Sequence, residues 1–139
     1  MAKRVRKPGL DLNYLGKQHS TPVKTLDRIP WQGGSIIVTL DCSEFTSHCP
    51  VTKQPDFGSL VIQYAPDKFI AETKSVKLYL WKFRNIAAFN EQIVAQIAEE
   101  FYRQIQPRWV DVTGKFAMRG GISVSAVANR GAEYPIGTA

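Results

Sequence analysis

Between residues 86 and 106 the apolar side chains return every four positions, at Phe89, Ile93, Ile97, Phe101 and Ile105, with Ile86, Val94 and Ala98 widening the stripe. That spacing places them on one face of a helix, with Asn85 as an N-cap and Pro107 as its stop. Elsewhere the pattern is that of strands. Residues 35–40 form a β-branched run after Gly33 and Gly34, and residues 59–64 form a second run closed by Ala65, Pro66 and Asp67. Residues 76–81 alternate, with Val76, Leu78 and Leu80 on one face and Lys77, Tyr79 and Trp81 on the other. Two further strands, 109–118 and 122–127, flank Arg119, Gly120 and Gly121, which read as a hairpin turn. Three strands, a long helix and two strands predict an α+β fold, an antiparallel sheet with helix packed on one face. Such a sheet has open edges that must be paired or covered, and oligomerisation is one way to do so.

Residues 1–30 break from this pattern. Pro8, Gly9, Gly16, Pro22 and Pro30 punctuate them, which predicts an N-terminal arm with only short local structure, ahead of a single domain over 31–139. The arm also holds the charge. Of the net charge of +6, residues 1–30 supply seven Lys and Arg against two Asp, whereas the rest is nearly balanced. The basic run from Lys3 to Lys7 has no interleaved aromatics, so it reads as a solvated tail rather than a nucleic-acid face. A chain of 139 residues with 44% hydrophobic content supports one packed core. No apolar run approaches the roughly 20 residues of a membrane span, and no apolar signal core follows the basic start. The expectation is a cytoplasmic protein without membrane contact, its two cysteines, Cys42 and Cys49, in a reducing compartment.

Candidate chemistry is concentrated in 45–59, which reads as a loop punctuated by Pro50, Pro55 and Gly58 and carries the thiol of Cys49 and the carboxylate of Asp56. A thiol and an acid together can attack an electrophilic carbon and then protonate it; a cysteine that merely fills space is the alternative. His19 and His48 are the only histidines, and adjacent His48 and Cys49 do not make a metal site. No glycine-rich nucleotide loop is present. Lys74 and Lys77 lie three apart, so one helical turn would bring both ammonium groups, with Ser75, to one side and suit a phosphate; a polar lead-in to a strand is the plainer reading. Glu91 lies between stripe residues Phe89 and Ile93 in the second turn of the helix. It is either a partly buried reader of paired N–H donors or an exposed glutamate favoured by the helix dipole.

Several segments in order carry a resemblance: 45–56 (FTSHCPVTKQPD), 72–80 (ETKSVKLYL), 83–85 (FRN) and 114–122 (GKFAMRGGI). Over residues 25–122 the chain resembles the short form of the 7-cyano-7-deazaguanine reductases, the nitrile reductases of queuosine biosynthesis in tRNA. The resemblance implies a tunnelling fold, related to that of GTP cyclohydrolase I, in which sheets of several subunits close a barrel and sites lie between subunits. It implies a homo-oligomer, a head-to-head pair of pentamers. It also implies a cofactor, NADPH, and a small-molecule substrate, 7-cyano-7-deazaguanine, with no direct nucleic-acid partner. Cys49 would be the nucleophile, forming a thioimide, and Asp56 the proton donor. Glu91, with Asn90, Ala71, Glu72 and Thr73, would hold the base; Lys74, Ser75, Lys77 and Arg119 match positions associated with NADPH. Asn90 stands where the family commonly has His, and amide for imidazole removes a proton acceptor. Thr73 and Val76 replace a usual Ser and Leu, and residues 1–30 match the pattern poorly. Two rivals are an amidine-forming relative of the archaeosine synthase type, which lacks the 72–77 motif, and a basic RNA-binding module with an incidental thiol.

Overall fold

The computed structural model of the chain describes residues 11–131, so the basic run at Lys3–Lys7 lies outside the described residues. Strands β2 (Val38–His48), β3 (Pro55–Ala65), β5 (Trp109–Phe116) and β6 (Ser125–Gly131) form one antiparallel sheet in the order β2-β3-β5-β6. Strands β1 (Arg28–Pro30) and β4 (Phe69–Ala71) make a small antiparallel pair beside it. Helices α1 (Thr73–Trp81) and α2 (Asn90–Ile105), joined through a 3-10 turn at Lys82–Asn85, supply the second layer. The architecture is α+β, with an antiparallel sheet and helices on one face.

The stripe of α2 explains the core. Ile93, Val94, Ile97, Ala98, Phe101 and Ile105 are buried against the inward row Leu60, Ile62 and Tyr64 of β3 and Val110 and Val112 of β5, and the rings of Tyr64 and Phe101 meet at 4.9 Å. Burying one such aromatic side chain contributes about 1.5–3 kcal/mol. Gly114 lets the helix come this close: a Cβ there would stand 2.6 Å from Cγ2 of Val94.

Four expectations are corrected. Residues 76–81 belong to helix α1, not a strand. The Glu72 carboxylate accepts from the N–H of Lys74 (2.7 Å) and of Ser75 (2.8 Å), which satisfies the first turn. Ser75, Val76, Leu78, Tyr79 and Leu80 are all buried, and the inclusion of Ser75 and Tyr79 is what the alternation of Val76, Leu78 and Leu80 concealed. Helix α2 starts at Asn90 rather than near Ile86, because Ile86 to Ala88 run beside the end of β2: His48 N–H donates to Ile86 O and Ala88 N–H to His48 O, both at 3.1 Å. Phe89 becomes the N-cap in place of Asn85. Strand β2 extends through His48, so 45–48 is strand rather than loop, with its register shifted between Cys42 and Phe45. Finally, residues 11–30 are laced into the body. Val23 and Leu26 are buried, and Asp27 accepts from the N–H of Asn13 (2.7 Å) and Tyr14 (3.1 Å).

The turn at 119–122 is as expected. Arg119 and Ile122 exchange backbone hydrogen bonds of 2.9 and 3.0 Å, and Gly120 and Gly121 take φ of 58° and 79°, values that glycine adopts without Cβ strain. No helix among the described residues is long and apolar enough to cross a membrane.

Candidate active site

The alternation of β2 and β3 brings the thiol and the carboxylate together. On β2 the buried residues Phe45 and Ser47 face the helices, and Cys49, two residues on, continues that row. On β3 the inward row Tyr64, Ile62 and Leu60 leads back through Gly58 to Asp56. Ser47 is the register partner of Asp56, and Cys49 N–H donates to Gln54 O at 2.9 Å. Cys49 and Asp56 are therefore diagonal neighbours on one face, beyond the end of the apolar core. Asp56 sits on a strand rather than in the expected loop. That makes its placement depend on sheet register rather than loop conformation.

The turn after Cys49 supplies donors to its thiol. The hydroxyl of Thr52 and the backbone N–H groups of Thr52 and Val51 all lie against the sulfur, and they hold the thiol below its ordinary pKa; burial and the nearby Asp56 charge push weakly the other way. Lys53 closes the turn with φ of 61° and donates its N–H to Cys49 O at 3.0 Å. Thr52 was not singled out from sequence, since a threonine in a Pro-bounded turn is unremarkable until its hydroxyl is seen to face the thiol. Thr52→Val should raise the pH midpoint of Cys49 alkylation by iodoacetamide and slow the reaction severalfold at neutral pH. An unchanged midpoint would leave Thr52 without a role in thiolate stabilisation.

Among buried polar atoms without a hydrogen-bond partner are Oγ of Ser47 and Oδ1 of Asn90. The first faces Asp56 across the strands; the second arrives at the start of α2, tied to β2 through Ala88 and His48. Such orphaned groups are costly unless a ligand completes them. Ser47 had no sequence signal of its own. Glu91 is exposed in the first turn of α2 rather than partly buried in the second, because the helix begins four residues later than its stripe predicts.

The other proposed site residues divide into those that face solvent and those engaged within the fold. Ala71 and Glu72 are buried, and the Glu72 carboxylate is turned into the cap of α1, whereas Thr73 is exposed. Ser75 is fully buried; its hydroxyl donates to Glu72 O (2.6 Å) and accepts from Asp27 N–H (2.9 Å). Lys74 Nζ donates to the carbonyls of Tyr14 (2.9 Å) and Lys17. Lys77 is exposed and lines a cleft of about 540 Å³ between α1 and β2, with Trp81 and Arg84 on the same wall and Cys42 to Thr46 opposite. Arg119 places Nη2 2.8 Å from Oδ1 of Asp56, and also donates to Pro55 O. The cleft and the thiol do not coincide within one chain. Exposed Lys77, Arg84 and Arg119 are the kind of cations that dinucleotide phosphates require, so the donor set fits such a cofactor. Among the described residues no three His, Cys, Asp or Glu side chains gather as metal ligands. Cys42 and Cys49 are both free thiols.

An α+β domain that holds a thiol and a carboxylate at the end of the helix-covered face of its sheet carries the groups that nucleophilic catalysis uses. The family model for QueF-like proteins matches residues 55–135, and the chain belongs to this family. A protein of Syntrophus aciditrophicus (strain SB) named NADPH-dependent 7-cyano-7-deazaguanine reductase is 43% identical over 119 residues, 84% of this chain and 84% of its own length. A protein of the same name from Bacteroides fragilis is 49% identical over 94 residues, 68% of this chain and 62% of its own. The crystal structure of the archaeosine synthase QueF-Like in the apo form superposes with a TM-score of 0.65 at 23% identity, over 70% of this chain and 96% of that one. At that identity the likeness concerns the fold, the tunnelling fold.

Proposed function

We propose that this chain reduces the nitrile of 7-cyano-7-deazaguanine to the primary amine, 7-aminomethyl-7-deazaguanine, with NADPH as reductant. The observation that carries the reading is the Cys49 sulfur, surrounded by donors from Thr52 and Val51 and facing Asp56. The Syntrophus aciditrophicus relative, 43% identical over 84% of each chain, bears the name of this reaction.

Cys49 as thiolate adds to the nitrile carbon, and Asp56 delivers a proton to the nitrogen, giving a thioimide. Covalent capture matters because a free nitrile accepts hydride poorly. NADPH supplies the two hydrides that take the captured carbon to the amine. Once the thioimide carbon has gained the first hydride, the tetrahedral adduct would expel Cys49 as thiolate and leave the imine, which a closed site protects from water until the second hydride arrives. Glu91, exposed at the start of α2, accepts from the base N–H groups, and the orphaned Oδ1 of Asn90 adds an acceptor beside it. Thr73 and the backbone at Ala71 and Glu72 form the opposite wall. Lys77 and Arg119 face the cofactor phosphates. Lys74 and Ser75 act by fixing the start of α1 on which Lys77 stands.

Copies of the chain join edge to edge in this reading, as a pair of pentamers in the cytoplasm. Both outer strands, β2 and β6, have one unpaired edge among the described residues, and Ile37 (60% exposed) and Val127 (58%) are apolar side chains beside those edges. A neighbouring copy would bring cleft and thiol together.

The test mixes the protein with 7-cyano-7-deazaguanine and NADPH under reducing conditions and follows the nicotinamide absorbance. Two equivalents of NADPH should be consumed per amine formed. Failure to oxidise NADPH, with an ammonia-dependent amidine instead, would move the chain to the archaeosine-synthase type.

A further inference from the structure

The ion pair between Arg119 and Asp56 sets a condition on the proton step. The guanidinium Nη2 lies 2.8 Å from Oδ1 of Asp56 and also reaches Pro55 O, while the Asp56 side chain is only 13% exposed and that of Arg119 48%. The cation therefore covers the solvent side of a sheltered carboxylate. The Arg119 backbone is fixed by its paired hydrogen bonds with Ile122 across Gly120 and Gly121, so only side-chain rotation is needed for the guanidinium to leave. A half-exposed ion pair is held by about 1 kcal/mol or less, and an exposed dianionic phosphate competes well for the same fork of donors. While the pair persists, the guanidinium occupies Oδ1 of Asp56 and bars that oxygen to the thiol proton.

We propose that Arg119 is a positioning residue that exchanges between Asp56 and a phosphate of the dinucleotide, so that cofactor docking releases Asp56 for proton transfer. The inference rests on the nitrile-capture reading above. The freed Asp56 carboxylate takes the proton of the Cys49 thiol. The thiolate sulfur then forms its bond to the nitrile carbon, one C–N π bond opens onto nitrogen, and that nitrogen takes the proton from Asp56. No proton is gained or lost overall and nothing is oxidised. Capture of the nitrile is thereby faster when the dinucleotide is bound.

The experiment follows formation of the Cys49 adduct by rapid quench and intact mass, with 7-cyano-7-deazaguanine in the presence or absence of NADP+, which cannot donate hydride. In the unmodified chain NADP+ should accelerate the adduct roughly fivefold, the ratio that matches an ion pair of about 1 kcal/mol. Arg119→Gln should form it at the faster rate with or without NADP+, and Arg119→Lys should restore part of the dependence. An adduct rate in the unmodified chain that ignores NADP+ would overturn the exchange, and so would slower capture in Arg119→Gln, which would make the arginine only an orienting partner of Asp56. No adduct under any condition would overturn thiol capture itself and the reductase reading with it.

Discussion

Cys49→Ala should lose both the covalent adduct with 7-cyano-7-deazaguanine and NADPH consumption, with turnover falling at least about a thousandfold, the usual scale for removing a nucleophile. Cys49→Ser should fare little better, since a hydroxyl is a far weaker nucleophile than a thiolate and the three donors around the sulfur cannot ionise it at neutral pH. The loss will not come from unfolding. The structural bonds at this position, Cys49 N–H to Gln54 O and Lys53 N–H to Cys49 O, belong to the backbone and survive the substitution. The side chain lies beyond the core, so stability should change by no more than about 0.5 kcal/mol. Two measurements therefore separate chemistry from folding: NADPH oxidation with intact mass, and the urea midpoint. Residual turnover within tenfold of the unmodified chain would mean that hydride reaches the nitrile without covalent capture.

That Cys49 and Asp56 stand near one another was legible because the two lie within one punctuated stretch. Their support was not legible. Strand β2 continues through Asp41, Ser43, Glu44 and Ser47, which interrupt any apolar pattern. The register shift between Cys42 and Phe45 also moves the inward row by one position, so simple alternation cannot follow it. The stripe of α2 was read correctly from Ile93 onward, where packing decides the helix. Its first turn was not, because His48 claims the backbone of 86–88, a pairing across some forty positions in sequence that no local window contains. For the same reason the contact of Arg119 with Asp56 could not be read: the arginine was visible as a cation and the aspartate as an acid, but only the β3–β5 register joins them.

On residue pattern alone the segment 72–77 is most plainly a polar lead-in to a strand, with a phosphate site as the alternative if it formed a helical turn, and its helical geometry changes what Glu72 is expected to do. The residue is 3% exposed. Both carboxylate oxygens accept N–H groups of α1, its carbonyl accepts from the Ser75 hydroxyl, and its own N–H donates to Asp27 O at 3.0 Å. Removing the carboxylate strips the cap, a loss of about 1–2 kcal/mol, and leaves buried N–H donors unpaired, at about 1–3 kcal/mol more. Glu72→Ala should therefore destabilise the fold by about 2–5 kcal/mol in urea unfolding, a large share of the roughly 5–15 kcal/mol typical of a domain. Glu72→Gln keeps one acceptor and should lose about half as much. Because α1 carries Lys77 at its middle and runs into the 3-10 turn that leads to α2, both variants should also weaken substrate and cofactor binding in proportion to their loss of stability. If Glu72→Ala keeps its urea midpoint and loses only affinity for the deazaguanine base, the carboxylate serves the ligand directly and α1 is held by its apolar face alone.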